Sequence, residues 1–316
     1  MYLDAYNFSA RPFQLTPDLR FLFPSRSHKR ALSYLRFGLE QAEGFVVITG
    51  HIGTGKTMLI QTLLAEMADQ EIATARIAAA NLNEENVLSA VAASLNLPYE
   101  GKSKVAIMAN LEKSLRHARD RVSSVMLIVD EAQTLSPEAL EELRILSNLD
   151  SQGRALMQIF LVGQTELRVT LQARRMEQLR QRIVASYHLE PLSPEETKRY
   201  IGFRLVAVGW NGDPSFSNEV YGHIYEASGG IPRKVNIVMD RLLLYGYLEE
   251  IRDFEEEHIV QVIEEMSQEL SGDLLTKVED TSIETTEQPK TKSELEERLR
   301  QLESKLDDLV GAAGTG

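Results

Sequence analysis

"GFVVITGHIGTGKT", residues 44–57, decides how the rest of the chain is read. Its first half is a short apolar, β-branched run, the pattern of a buried strand. Its second half, "GHIGTGKT" (50–57), fits G-x-x-x-x-G-K-[ST], the phosphate-binding loop, and opens a helical pattern as that loop must. Gly50, Gly53 and Gly55 let backbone N–H groups turn inward around a phosphate. Lys56 can reach the β- and γ-phosphates of a nucleotide, and the Thr57 hydroxyl can hold Mg²⁺. The helix N-terminus behind them adds partial positive charge. His51, Ile52, Thr54 and Met58 complete the stretch that would touch ATP.

Outward from this loop, further apolar runs at 73–79, 125–130 and 157–163 read as buried parallel strands, with a fifth at 185–192. Helical patterns at 56–69, 84–95, 103–119 and 136–148 separate them. Alternation of strand and helix predicts a three-layer α/β domain with a parallel sheet over residues 1–192, its N-terminal segment being 1–40. From Ser193 the strand signal stops. "SPEETKRYIGFRL" opens a helix with a Ser cap, a first-turn Pro and acids. Apolar residues at helical spacing continue through 217–227, 232–248 and 255–268, predicting a small all-helical domain over 193–270. Residues 271–292 are polar and aperiodic and read as a linker. Leu295, Leu299, Leu302, Leu306 and Leu309 then recur at spacings of four and three, a short coiled-coil seam within 293–310.

Composition bounds the function. The net charge of −13 argues against nonspecific coating of nucleic acid, which needs clustered Lys and Arg. With no cysteine, disulfides and thiolate metal sites are excluded, and the six histidines show no ligand spacing. The first residues lack the basic start and apolar core of a signal peptide, and no run approaches the ~20 apolar residues of a membrane span. A cytoplasmic location is expected, with any membrane role acting through a partner.

The second half of the chemistry lies in "VMLIVDEAQ" (125–133). Asp130 ends an apolar strand and supplies a carboxylate for the Mg²⁺ shell. Glu131 beside it can orient and deprotonate an attacking water. Gln164 ends the next strand; parallel strands share one crevice at their C-termini, so its amide can hold the water or the γ-phosphate. "RRMEQLRQRI" (174–183) offers Arg174, Arg175, Arg180 and Arg182. A cation here can complete a neighbouring subunit's site as an arginine finger, with Arg180 and Arg182 the candidates. Phe13, Phe21 and Phe23 read as packing residues and His28 as a surface helix residue. In "SGGIPRKVN" (228–236), Arg233 stands in the first turn of a helix, where the macrodipole disfavours a cation by about 0.3–1 kcal/mol. A facing phosphate removes that misfit.

These motifs, in this order, resemble the AAA+ ATPases of the ExeA/GspA type, a branch of the P-loop NTPases, and within it the secretion ATPases associated with PEP-CTERM/exosortase and exopolysaccharide loci. The likeness is carried by "FLFPSRSHKRAL", "GFVVITGHIGTGKT", "LIVDEAQTLSPEALEELRILSN", "QLRQRIVASYHLEPLSPEETKRYIGFRL", "GWNGDPSF" and "GGIPRKVN", across residues 1–268. It implies a helical lid, Gln164 at the sensor-1 position, Arg180 or Arg182 in the finger region, and Arg233 at sensor 2 on the lid. It further implies an ATP- and Mg²⁺-dependent hydrolase that assembles into a homo-oligomeric, often hexameric, ring. His51 takes a loop position that is often acidic in similar proteins. The membrane span and peptidoglycan-binding region of the larger relatives are not in this sequence, so cell-wall remodelling is not carried over.

The leading expectation is therefore a cytoplasmic, oligomeric ATPase driving or gating assembly of an envelope export or polysaccharide system. Two others stand beside it: a DNA-bound ATPase of the transposition-regulator type, and a nucleotide-gated scaffold whose coiled coil recruits a partner. The acidic balance weighs against the first, and Glu131 with the arginine cluster against the second.

Overall fold

The computed structural model describes residues 2–67, 72–119 and 124–269. Five strands, β1 (Phe45–Gly50), β2 (Ile72–Ala78), β3 (Ser124–Asp130), β4 (Gln158–Gly163) and β5 (Ile183–Leu189), form one sheet in the order β2-β3-β4-β1-β5. Every pairing is parallel. The central strands β1 and β4 are buried at every residue, while the edge strand β2 alternates, which matches their unbroken and broken apolar patterns.

The period-2 alternation of side chains sorts each strand into two faces. Val46, Ile48, Ile128, Phe160 and Val162 pack on α1 (Arg26–Gln41) and α2 (Lys56–Glu66), through Leu35, Leu59 and Leu63. Phe45, Val47, Leu127, Val129, Ile159 and Leu161 face the other way. They pack on α3 (Val87–Ser94), α4 (Lys104–Arg119) and α5 (Pro137–Ser147), through Leu88, Leu111 and Leu140. Three layers result. The helix α6 (Thr165–Gln172) follows β4.

Two expected boundaries move for local reasons. Helix α3 starts at Val87 rather than 84, because Asn83 Oδ1 accepts from the N–H groups of Glu85 and Asn86 at 3.0 and 3.2 Å and holds a turn there. Strand β5 ends at Leu189 rather than 192, since Pro191 has no N–H for a ladder.

Beyond the sheet, α7 (Pro194–Val206), α8 (Asn218–Ser228), α9 (Pro232–Leu248) and α10 (Glu256–Glu269) form the helical lid. Ser193 and Glu196 close a capping box at the start of α7. The lid core holds Ile201, Ile224, Val238, Leu242, Phe254 and Ile259, and also Tyr2, Tyr6, Phe8, Phe13 and Phe21. The start of the chain, assigned from sequence to the α/β domain, therefore packs with the lid. Its aromatics find their burial there, each contributing about 1.5–3 kcal/mol. Among the described residues no helix is long and apolar enough to cross a membrane. The expected linker at 271–292 and coiled coil at 293–310 lie outside the described residues.

Candidate functional site: a phosphate-binding crevice

The loop between β1 and α2 turns tightly at two left-handed glycines, Gly53 (φ 84°) and Gly55 (φ 97°). Side chains there would fail on contact as well as on φ. A Cβ on Gly53 would meet Arg233 Cβ at 2.5 Å, and one on Gly55 would meet His28 Nε2 at 2.7 Å. The loop thus runs between the first turn of α9 and the first turn of α1. Thr54 pins its own turn, its hydroxyl donating to the His51 carbonyl at 2.9 Å.

Lys56 is buried, and its ammonium donates to the carbonyls of Gly50 and His51 at 2.8 and 2.9 Å. Burial pushes its pKa down, against the charges of Glu131, Asp130 and Glu166, which favour the ammonium. A buried cation held by carbonyls at a helix N-terminus, over a cradle that admits no Cβ, fits a nucleotide phosphate.

The crevice around it gathers Ile52, Gly53, Gly55, Lys56, Thr57 and Met58 from the loop, Asp130 and Glu131 from the end of β3, Gln164 after β4, and Arg233 from the lid. Gly50, His51 and Thr54 belong to the loop without lining this crevice. The His51 ring stands edge-on to His188 of β5, 6.1 Å between centroids. Carboxylate Asp130 accepts from the Glu131 N–H at 3.0 Å through Oδ1 and pairs through Oδ2 with Arg76 of β2. With Thr57 across the loop, it is an oxygen ligand set of the kind Mg²⁺ takes.

Glu131 takes a left-handed backbone (φ 55°) at the end of β3, which turns its side chain toward the crevice. Its Oε2 accepts from Gln133 Nε2 at 2.6 Å and from Gln164 Nε2 at 3.1 Å. The Gln133 amide chiefly holds its pKa below the usual carboxylate value, helped by Gln164 and Lys56 and opposed by burial. Gln133 also receives the Gln164 backbone N–H at 3.0 Å, tying the ends of β3 and β4 together.

Arg233 is exposed and its guanidinium has no hydrogen bond or ion pair among the described residues; its backbone N–H donates to the Gly53 carbonyl at 3.2 Å. Arg180 and Arg182 do not reach this crevice. Arg180 donates to the carbonyls of Leu171 and Ala173, both at 2.7 Å, and Arg182 to that of Ser147 at 3.3 Å. Arg174 and Arg175 are exposed.

The geometry corrects one expectation and extends another. His28 is not a surface residue; it is 9% exposed and lines the crevice under the loop. Phe21 and Phe23 do pack, yet they also wall the crevice, with Gln14, Tyr200 and Asn236 beside them. This N-terminal strap is fixed by Arg204, 5% exposed, which donates to the Pro12 carbonyl (2.6 Å), the Gln14 carbonyl (3.3 Å) and the Tyr200 hydroxyl (2.6 Å). Sequence reading passed over Arg76, Gln133 and the strap network. A lone Arg inside the apolar run "ATARIAA" and the Gln closing "DEAQ" were the available signals.

Residues 39–171 match the family model of the AAA domain. The chain has the P-loop AAA fold. The general secretion pathway protein A of Aeromonas hydrophila is 37% identical over 249 residues, 78% of this chain. The alignment spans 45% of that relative, so the chain covers less than half of the relative's length. Among solved structures, Cdc6p from Pyrobaculum aerophilum superposes with a TM-score of 0.65 at 19% identity, covering 80% of this chain and 70% of its own. The Aeropyrum pernix ORC1 protein, solved in complex with DNA, gives 0.60 at 16%, covering 83% and 70%. At those identities the likeness is one of fold alone.

Proposed function

We propose that this protein is an AAA ATPase that binds ATP with Mg²⁺, hydrolyses it, and uses the cycle to drive or gate assembly of an envelope secretion apparatus. The observation that carries the chemistry is the convergence of Lys56, Thr57, Asp130, Glu131, Gln164 and Arg233 on one crevice from a loop, two strand ends and the lid. Lys56 and the loop amides hold phosphate, and Thr57 and Asp130 hold the metal. When bound, Mg²⁺ supplies charge neutralisation at the phosphate oxygens. Glu131 accepts the proton of the attacking water, Gln164 orients that water, and Arg233 meets the charge that develops.

The secretion role draws on the similarity to general secretion pathway protein A. The narrower assignment, to exopolysaccharide or PEP-CTERM export, rests on the sequence blocks quoted above. A homo-oligomeric ring follows from the trans role assigned to Arg180 or Arg182, on the cytoplasmic side with membrane machinery reached through a partner. The test is Glu131→Gln: Mg²⁺-dependent turnover falls by about 10²–10⁴-fold while nucleotide binding is retained. Equal turnover would remove Glu131 from the mechanism.

One observation favours a second reading, a DNA-bound ATPase. Arg26, Lys29, Arg30 and Arg199 line a groove beside the crevice. Its one carboxylate, Glu196, is occupied by the backbone N–H groups of Arg26 and Ser193 at 2.8 and 3.2 Å. A gel shift with duplex DNA at low salt, and ATPase stimulation by the same DNA, separate the two.

A further inference from the structure

The buried histidine under the loop has no place in the chemistry just assigned. We propose that His28 is a positioning residue for the phosphate-binding loop. Its Nε2–H holds the Thr54 carbonyl toward the start of α1 and thereby aims the Gly55 N–H the opposite way, at a bound phosphate. The inference rests on reading the crevice as a nucleotide site.

The tautomer is assigned at the cap of α1. Ser25 Oγ accepts the His28 backbone N–H at 3.2 Å, as an N-cap does, and lies 2.7 Å from His28 Nδ1. We take the hydroxyl as donor to Nδ1, which places the ring proton on Nε2. That nitrogen faces the Thr54–Gly55 peptide. It stands 2.7 Å from where a Gly55 Cβ would be, which sets it against the Thr54–Gly55 peptide. The Thr54 N–H is already spent on the His51 carbonyl at 3.3 Å, which leaves the Thr54 carbonyl as the group His28 meets.

In a trans peptide the carbonyl and the following N–H point in opposite directions. Fixing the Thr54 carbonyl toward α1 therefore fixes the Gly55 N–H toward the phosphate side. Gly55 is the N-cap of α2, and its positive φ lets that plane stand this way. A helix N-terminus leaves such amides without intrahelical partners, so their direction decides what they bind. His28 acts from another element, α1, and a neutral donor there adds direction without adding charge.

The experiment uses the full chain with Gln, Asn and Leu at position 28, and mant-ADP as the probe. Gln places an amide donor where Nε2 stands; Asn reaches only the Nδ1 position; Leu fills the space with no donor. His28→Gln is expected to keep near wild-type affinity, while His28→Asn and His28→Leu weaken mant-ADP binding by about tenfold, the worth of one well-aimed hydrogen bond. A loop amide that meets phosphate in ground and transition states alike moves KM and leaves kcat near wild type at saturating ATP. Thermal melts check folding, and the contrast of Gln with Asn decides the matter where Leu does not fold. Equal affinity across folded variants, or equal loss in all three, overturns the proposal while leaving wild-type nucleotide binding intact. Absence of mant-ADP binding by the wild type overturns the nucleotide reading itself.

Discussion

The guanidinium of Arg76, on the edge strand β2, is paired with Oδ2 of Asp130, the carboxylate proposed to hold Mg²⁺. The parallel register sets Ala78 beside Asp130 and brings Arg76 to the same strand end. A cation on a metal-binding carboxylate competes with the metal. The pair is partly exposed, 45% for Arg76 and 18% for Asp130, so its worth is about 0.2–1 kcal/mol. Arg76→Gln is therefore expected to lower the Mg²⁺ concentration for half-maximal nucleotide binding by up to about fivefold. Titration of Mg²⁺ against mant-ATP measures it; an unchanged or raised midpoint contradicts the competition.

Arg233 makes two predictions of opposite sign. It stands exposed, with its guanidinium unpaired among the described residues, in the first turn of α9, where a cation opposes the helix dipole. Arg233→Ala is expected to leave the melting temperature unchanged, or to stabilise the ligand-free protein by about 0.3–1 kcal/mol. The same change is expected to cut ATP turnover, because the charge meets phosphate. Loss of stability together with full turnover would return this arginine to an ordinary surface role.

Much of this was legible before the structure. The strands showed because central parallel strands are apolar throughout, and the loop showed because its residues are contiguous. Asp130, Glu131 and Gln164 showed because strand ends in a parallel sheet share a crevice. What did not show was made by contacts between distant segments. Arg76 reaches Asp130 only through β2–β3 register, and His28 reaches Thr54 only because α1 packs beneath the loop. Residues 2–21 join the lid across about 200 positions of chain, and no local periodicity records that partner.

The strap gives a further prediction. Tyr200 donates to Asn236 Oδ1 at 2.7 Å and accepts from Arg204, inside a buried cluster where the guanidinium stands 4.6 Å above the Phe21 ring. Tyr200→Phe removes the hydroxyl that serves both partners and leaves an Arg204 donor unmet. Chemical denaturation is expected to register a loss of about 1–3 kcal/mol. A weaker grip on the 12–23 strap also loosens a wall of the crevice, so nucleotide affinity falls with it. Unchanged stability would mean the network re-pairs without the hydroxyl.

Stability should also depend on pH through His28. Burial holds its folded pKa below the ordinary imidazole value of about 6.5, with the Thr54 carbonyl and the Glu196 carboxylate of α7 opposing. As pH falls below about 6.5 the unfolded chain takes up a proton that the folded chain refuses, so stability is lost from there down to the folded pKa. His188, also depressed by burial, adds to the same slope. Melting temperatures at about pH 7.5 and 5.5 are expected to differ less in His28→Gln than in the wild type. Identical differences would show that His28 is not held neutral by the fold.

The two finger candidates separate on what each already holds within its own chain. Arg180 donates to two carbonyls at the end of α6, a half-buried, charge-assisted anchor. Removing such bonds costs about 1.5–3 kcal/mol each when the acceptors stay dry, so Arg180→Ala should melt measurably lower. Arg182 makes one longer bond, to Ser147, and is freer to turn to a neighbour. Arg182→Ala should keep its melting temperature and lose turnover. Mixing it with Glu131→Gln then decides the trans role, since the defects lie in different subunits' contributions to a site. Sites that pair an intact Glu131 from one variant with an intact Arg182 from the other regain activity. No recovery on mixing, with oligomers present, would place the arginine's effect inside its own subunit.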